Sequence, residues 1–162
     1  MDAFELYLGL GSNLGDRNAN INEAIALLDK AFRKSPAAVS TVIETESWGF
    51  EGPDFLNCVV RYDFDVKPAG AEEILSICKS VESELGRTSE QGTVGGVFKS
   101  RPIDVDILFY GLEMIDLPVL KVPHLHMRER DFVMIPLREI ASERVKAAFG
   151  DIFGCKGGDA ES

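Results

Sequence analysis

The chain has 162 residues, 45% of them hydrophobic and 27% charged, with a formal net charge of −10. That length suits one domain spanning 1–162 with a substantial core, and the composition is ordinary for a globular protein. The acidic balance argues against a nucleic-acid partner, and no apolar run reaches the roughly 18 residues that a membrane span needs.

The opening Met1-Asp2-Ala3-Phe4-Glu5-Leu6 has two early acids and no basic start, unlike an export signal. Cys58, Cys78 and Cys155 are odd in number and lack metal-ligand spacing. Reduced thiols in a cytoplasmic setting fit that pattern better than a disulfide framework, and Cys58 and Cys78 fall in apolar patterns that suit core filling.

In chain order, Phe4 to Leu10 alternates as a strand, and Gly11-Ser12-Asn13-Leu14-Gly15-Asp16 is loop chemistry with Asp16 as a helix N-cap. A helix is predicted from Arg17, because Ile21, Ala24, Ile25 and Leu28 follow the spacing of a core-facing stripe. A second strand is expected from about Val39 to Thr45, then a turn-rich loop around Trp48, then a third strand from about Phe55 to Phe64. Pro68 and Gly70 introduce a second helix with Ile74, Cys78, Val81 and Leu85 buried, and Gly86 is its expected stop. Residues 87–100 form a long loop with Gly92, Gly95 and Gly96, which suits a mobile lid. A short helix is predicted from Phe132 to Ala141, and the Gly-rich tail from about Asp151 reads as frayed. The order of strand, helix, strand, strand, helix, strand is the α+β, ferredoxin-like βαββαβ pattern: an antiparallel sheet with helices packed on it and a C-terminal extension.

The most informative segment is Arg101-Pro102-Ile103-Asp104-Val105-Asp106-Ile107-Leu108. A period of two puts Asp104 and Asp106 on one face of a strand, about 7 Å apart. Aspartates are poor strand formers and neighbouring like charges repel, so a divalent cation is a natural counterpart. Alternation alone also fits a solvent-facing polar edge. An anionic ligand would need basic residues gathered locally against the negative net charge. Lys99, Arg101, Arg128 and Arg130, with His124 and His126, are such a gathering, although a charge cluster is usually a solvated face and Lys99, Arg128 and His126 read as ordinary surface charge.

Four segments together resemble the 6-hydroxymethyl-7,8-dihydropterin pyrophosphokinases of folate biosynthesis. They are Leu10 to Arg17, Thr45 to Gly49 with Pro53 to Asn57, Arg101 to Gly111, and Val122-Pro123-His124 through Arg130-Asp131-Phe132, which come in the family's order. The resemblance implies transfer of pyrophosphate from ATP to the pterin hydroxymethyl group, with release of AMP. Catalysis would then rest on positioning and electrostatic stabilisation. It implies two Mg²⁺ ions on Asp104 and Asp106, with Arg101, Asp104 and Asp106 as catalytic residues. Nucleotide contacts would come from Glu82, Arg87, Phe98, Arg101, Ile107, His124 and Arg130, since guanidinium groups bind phosphate through paired donors. The pterin would lie between Phe55 and Phe132, with Thr45 and Asn57 at its polar edge, Trp48 closing over it and Asp104 near its hydroxyl. The partners implied are small molecules, with neither nucleic acid nor membrane, and the chain is expected to act as a monomer. Departures from the family pattern are the absence of arginine from Gln91 to Val97 and Leu125 where some members have tyrosine.

Two rivals share the topology. One is another Mg²⁺-dependent nucleotidyl- or phosphotransferase, and the other is a non-enzymatic small-molecule regulatory domain. Fold alone does not separate them.

Overall fold

The computed structural model describes residues 3–45, 54–86, 102–124 and 127–154. The elements are β1 (Phe4–Ser12), α1 (Arg17–Phe32), β2 (Ala38–Val39), β3 (Ile43–Thr45), β4 (Phe55–Phe64), α2 (Ala71–Gly86) and β5 (Asp104–Tyr110). A hairpin follows, β6 (Ile115–Leu117) and β7 (Leu120–Val122), then a 3-10 turn at Met127–Glu129. The chain continues through α3 (Asp131–Ile140), α4 (Glu143–Ala148) and α5 (Gly150–Phe153).

The main sheet is antiparallel, ordered β2-β4-β1-β5, with β3 also paired to β4. One face carries Leu6, Leu8 and Leu10 of β1 against Ile21, Ala24 and Leu28 of α1 and Ile74, Cys78 and Val81 of α2. These helix residues are largely the predicted stripes, although Leu85 is only half-buried. Asp16 caps α1 as expected, its carboxylate accepting from the Ala19 N–H at 3.1 Å.

The other face is covered as well. Tyr7, Val59, Leu108 and Phe109 pack there with Met134, Leu137, Val145, Phe149 and Phe153 from the last three helices. Phe109 stacks on Phe149 at 4.9 Å and on Phe153 at 6.0 Å between ring centroids. The sheet is therefore buried on both sides along β1, β4 and the C-terminal half of β5, where apolar residues occupy both faces.

Two expectations need correction. The strand from Val39 to Thr45 is two short strands, because the Ser40 hydroxyl accepts the Val59 N–H at 2.8 Å in place of a backbone carbonyl. Thr41 is then drawn outward, donating its N–H and hydroxyl to Glu139 at 2.9 and 2.8 Å. The tail expected from Asp151 is still helical through Phe153, whose ring is 4% exposed in the second core. Residues 155–162 lie outside the described residues.

Candidate active site

Two glycines in β1 make the floor of the site. In the register of the sheet, Gly9 faces Asp106 on β5 and Val59 on β4, while Gly11 faces Asp104 and Asn57. Without side chains there, the two acids and Asn57 stand around an open space. A Cβ on Gly11 would come within 3.0 Å of Asn57 Oδ1. Between Tyr7 and Leu8 the pairing with β5 shifts by one residue. This bulge turns Leu108 and Phe109 to the same face, so apolar packing begins directly beneath the acids.

The resulting cavity has a volume of about 870 Å³ and is lined by Asp104, Asp106, Asn57, Thr45, Phe55 and Phe132, with His124 and Arg130 at its wall. Ile103, Val105 and Ile107 are buried in the helix-covered core, so the alternation read from the sequence is real. Asp104 is half-buried, and the Asp106 side chain is 53% exposed. His124 arrives from the segment after β7, where its backbone N–H donates to the Leu108 carbonyl at 3.2 Å. That bond brings Nε2 to 4.0 Å from Asp106 Oδ2.

Asn57 Nδ2 donates to Thr45 Oγ1 at 2.9 Å, so β3 and β4 present an amide and a hydroxyl as one joined polar edge. Phe55 starts β4 and Phe132 lies in the first turn of α3, and both rings are partly exposed at the cavity. The Arg130 guanidinium is 5.9 Å from the Phe132 ring centroid.

A sequence profile for 7,8-dihydro-6-hydroxymethylpterin-pyrophosphokinase matches residues 7–142 of the chain. The chain is 43% identical over 138 residues to a 2-amino-4-hydroxy-6-hydroxymethyldihydropteridine pyrophosphokinase of Porphyromonas gingivalis, covering 84% of this chain and 90% of that protein. The chain belongs to this pyrophosphokinase family. It transfers pyrophosphate from ATP to the hydroxymethyl group of 6-hydroxymethyl-7,8-dihydropterin, releasing AMP, in folate biosynthesis. The enzyme of the same name from Bacillus subtilis is 38% identical over 143 residues, 88% of this chain and 81% of that protein. Among solved structures, a crystal structure of HPPK-DHPS in complex with substrates has a TM-score of 0.61 at 12% identity, covering 95% of this chain. A Plasmodium falciparum HPPK-DHPS triple mutant has a TM-score of 0.60 at 15% identity, covering 92%. At that identity the likeness concerns the fold alone, and this chain spans only 43% and 44% of those two chains.

Against the pyrophosphokinase expectations, the cavity gathers Thr45, Phe55, Asn57, Asp104, Asp106, His124, Arg130 and Phe132. Two other expected contacts stand apart from its lining. Ile107 is 2% exposed in the core, so only its backbone is available to a ligand. Glu82 projects from α2 to β5, where its carboxylate accepts the Val105 N–H at 2.8 Å. Burial raises the Glu82 carboxyl above the usual carboxylate range, with the negative Asp104 and Asp106 adding to the effect. Trp48, Arg87, Phe98, Lys99, Arg101, Leu125, His126, the 87–100 loop and the Arg128 side chain lie outside the described residues.

Sequence reasoning missed Gly9, Gly11, Glu129 and Asp131 in the lining. The glycines did carry a signal, since they alternate on the same face of β1. Glu129 and Asp131 were hidden by Arg130 between them, which drew attention as the cation. Four carboxylates thus surround the cavity against one arginine and one histidine among the described residues. That described lining by itself repels a triphosphate unless cations come with it. Among the described residues no three His, Cys, Asp or Glu side chains converge as a ready-made metal site. Two carboxylates completed by phosphate and water oxygens are the ligand set that Mg²⁺ favours, so Asp104 and Asp106 fit that ion.

Proposed function

We propose that this cavity is where the reduced pterin and the ATP triphosphate meet, on a framework of the ferredoxin-like βαββαβ type. The observation that carries the reading is the convergence, in one cavity, of two half-open strand aspartates with two aromatic rings and an amide–hydroxyl pair. The strand order β2-β4-β1-β5, with α1 and α2 on one face, supports the framework.

In this reading Phe55 and Phe132 hold the pterin ring between them, and Asn57 and Thr45 pair with its polar edge. Stacking of that kind contributes about 0.5–1.5 kcal/mol beyond the area buried. The hydroxymethyl oxygen attacks the β-phosphorus of ATP, the bond from that phosphorus to the α,β-bridging oxygen breaks, and AMP leaves with the bridging oxygen. Asp104 orients the hydroxyl and draws its proton away. Two Mg²⁺ ions held by Asp104 and Asp106 would neutralise phosphate oxygens and make the β-phosphorus more electrophilic. Arg130 and His124 hold the triphosphate from the α3 side, joined by Arg101, Arg87 and Phe98 from the preceding loop. The residues act mainly by holding reactants in line and by meeting charge as it shifts.

The enzyme is further read as a cytoplasmic monomer whose partners are ATP and pterin, with neither nucleic acid nor membrane. Among the described residues no helix is long and apolar enough to cross a membrane. A regulatory domain and a nucleotidyltransferase are set aside by the family assignment.

Crystals grown with pterin and a non-hydrolysable ATP analogue plus Mg²⁺ test the placement. The pterin is expected between Phe55 and Phe132, with ions on Asp104 and Asp106. A pterin bound elsewhere, or carboxylates that meet only solvent, overturns the site. In solution, AMP should form only when pterin and a divalent cation are both present. Formation of ADP, or AMP without pterin, overturns the reaction as drawn.

A further inference from the structure

The two aspartates sit on β5, which among the described residues pairs with β1 along one side and with no second strand of the main sheet along its outer edge. An edge strand is free to fray or slip, and a one-residue slip would turn both acids to the opposite face. Its N-terminal end is the part at risk. Two bonds hold the outer edge on either side of Asp106. Towards the C-terminal end, the Leu108 carbonyl accepts the His124 N–H at 3.2 Å. Between the two acids, the Val105 N–H donates to Glu82 Oε2 at 2.8 Å.

Glu82 comes from α2 on the helix-covered side, and its side chain is only 20% exposed. Its second oxygen is 3.8 Å from Lys79 Nζ, one turn earlier on the same helix. Burial raises the proton affinity of Glu82, and the negative Asp104 and Asp106 nearby add to it, so a carboxylate here is electrostatically unfavourable. A strand carrying two acids is a poor place for a third unless that third has a task. A charge-assisted bond to a backbone N–H is one of the stronger ties a side chain offers.

We propose that Glu82 is a positioning residue that acts through β5, clamping the strand between Asp104 and Asp106 so that both carboxylates face the cavity. The inference rests on the site reading above, in which those two acids carry the metal ions. It differs from the expectation that Glu82 touches the nucleotide, because here the carboxylate is already engaged by the protein. Glu82 therefore sets metal affinity while leaving pterin affinity largely unchanged, since Phe55, Phe132, Asn57 and Thr45 belong to other elements and only Asp104 of β5 meets the pterin.

The test compares Glu82→Ala and Glu82→Gln with the wild-type chain, using ¹⁵N-labelled protein and three readouts. Exchange of the Val105 amide reads the clamp. Mn²⁺ titration with a non-hydrolysable ATP analogue, followed by line broadening near Asp106, reads the metal site. Pterin affinity by fluorescence reads the rest of the cavity. Glu82→Ala is expected to speed Val105 exchange at least tenfold and to weaken Mn²⁺ binding about 10- to 100-fold, the range typical of residues that orient metal ligands. Pterin affinity should stay within about twofold, and Glu82→Gln, which keeps an acceptor oxygen, should recover most of the loss.

Three outcomes overturn the inference. Equal damage from Glu82→Gln and Glu82→Ala with Val105 still protected would show that the charge itself meets the nucleotide. Parallel loss of pterin affinity and thermal stability would show a packing role only. Wild-type metal binding that Glu82→Ala leaves unchanged would show that no clamp is needed. If the wild-type protein shows no Asp106-dependent Mn²⁺ binding, the site reading fails and the inference falls with it.

Discussion

Asp106 stands 53% exposed at the end of a well-packed strand, so its function and its contribution to stability separate cleanly. Exposed side chains away from caps and networks change stability by about 0.5 kcal/mol or less. In the proposed site Asp106 is a metal ligand, and losing one that serves transition-state charge removes several kcal/mol from the barrier reduction. Asp106→Ala should therefore lower pterin-dependent AMP formation about a thousandfold or more while the melting temperature holds within a few degrees. Near-normal turnover in a folded variant would remove Asp106 from the chemistry. Phe132 offers the complementary case, because in the proposed site it meets the pterin and not the phosphates. Phe132→Ala should weaken pterin binding roughly tenfold through lost stacking and burial. Affinity for the ATP analogue should not move, and calorimetry with each ligand alone distinguishes the two.

At the level of elements, the site depends on β1 having no side chains where β4 and β5 have theirs. A methyl group on Gly11 would press on Asn57 Oδ1 from 3.0 Å, and Asn57 is tied to Thr45 on its other side. Gly11→Ala should thus weaken pterin binding by about tenfold, equivalent to one displaced hydrogen-bonded contact. Unchanged affinity on titration would mean that Asn57 does not read the pterin edge. Far from the cavity, α4 is fastened by Ser142, whose hydroxyl accepts the Val145 N–H at 3.2 Å and donates to buried Glu5 at 2.7 Å. Ser142→Ala should cost about 1–3 kcal/mol in urea unfolding, from a lost cap and a less satisfied buried carboxylate. The elements legible in the sequence are those set by local periodicity, such as α1, α2 and the aspartate strand. Those misread are set by distant partners. The break between β2 and β3 depends on Val59 and on Glu139, the latter 98 residues from Thr41. Glu82 likewise reveals its partner only once α2 packs on β5. Within the cavity, the acids and the amide were readable because their chemistry is unusual on strands, whereas the two rings entered only through the family resemblance. Glu129 and Asp131 look like any exposed helix-start acids.

For the molecule as a whole, a sheet covered on both faces should behave as one cooperative unit, and the two buried cysteines report on it. Cys58 on β4 and Cys78 on α2 are 1% and 0% exposed within the same core. Burial pushes both thiols up to about 12. At pH 8 only about one thiol in ten thousand is then ionised, and the thiolate is the reactive form. Alkylation of the native chain therefore has to await opening of the core. In a Cys155→Ser background, both thiols should react with iodoacetamide at one shared rate, corresponding to an opening free energy of about 5–15 kcal/mol. Added denaturant should speed both with the same slope, because the surface exposed is that of the whole domain. A faster rate at Cys58 alone would mean that β4 loosens beside the cavity without unfolding of the helices. In that event the sheet is two units rather than one, with the edge beside the cavity as the weaker. Adding pterin with the ATP analogue would then slow Cys58 selectively, whereas a single cooperative unit predicts equal slowing at both positions.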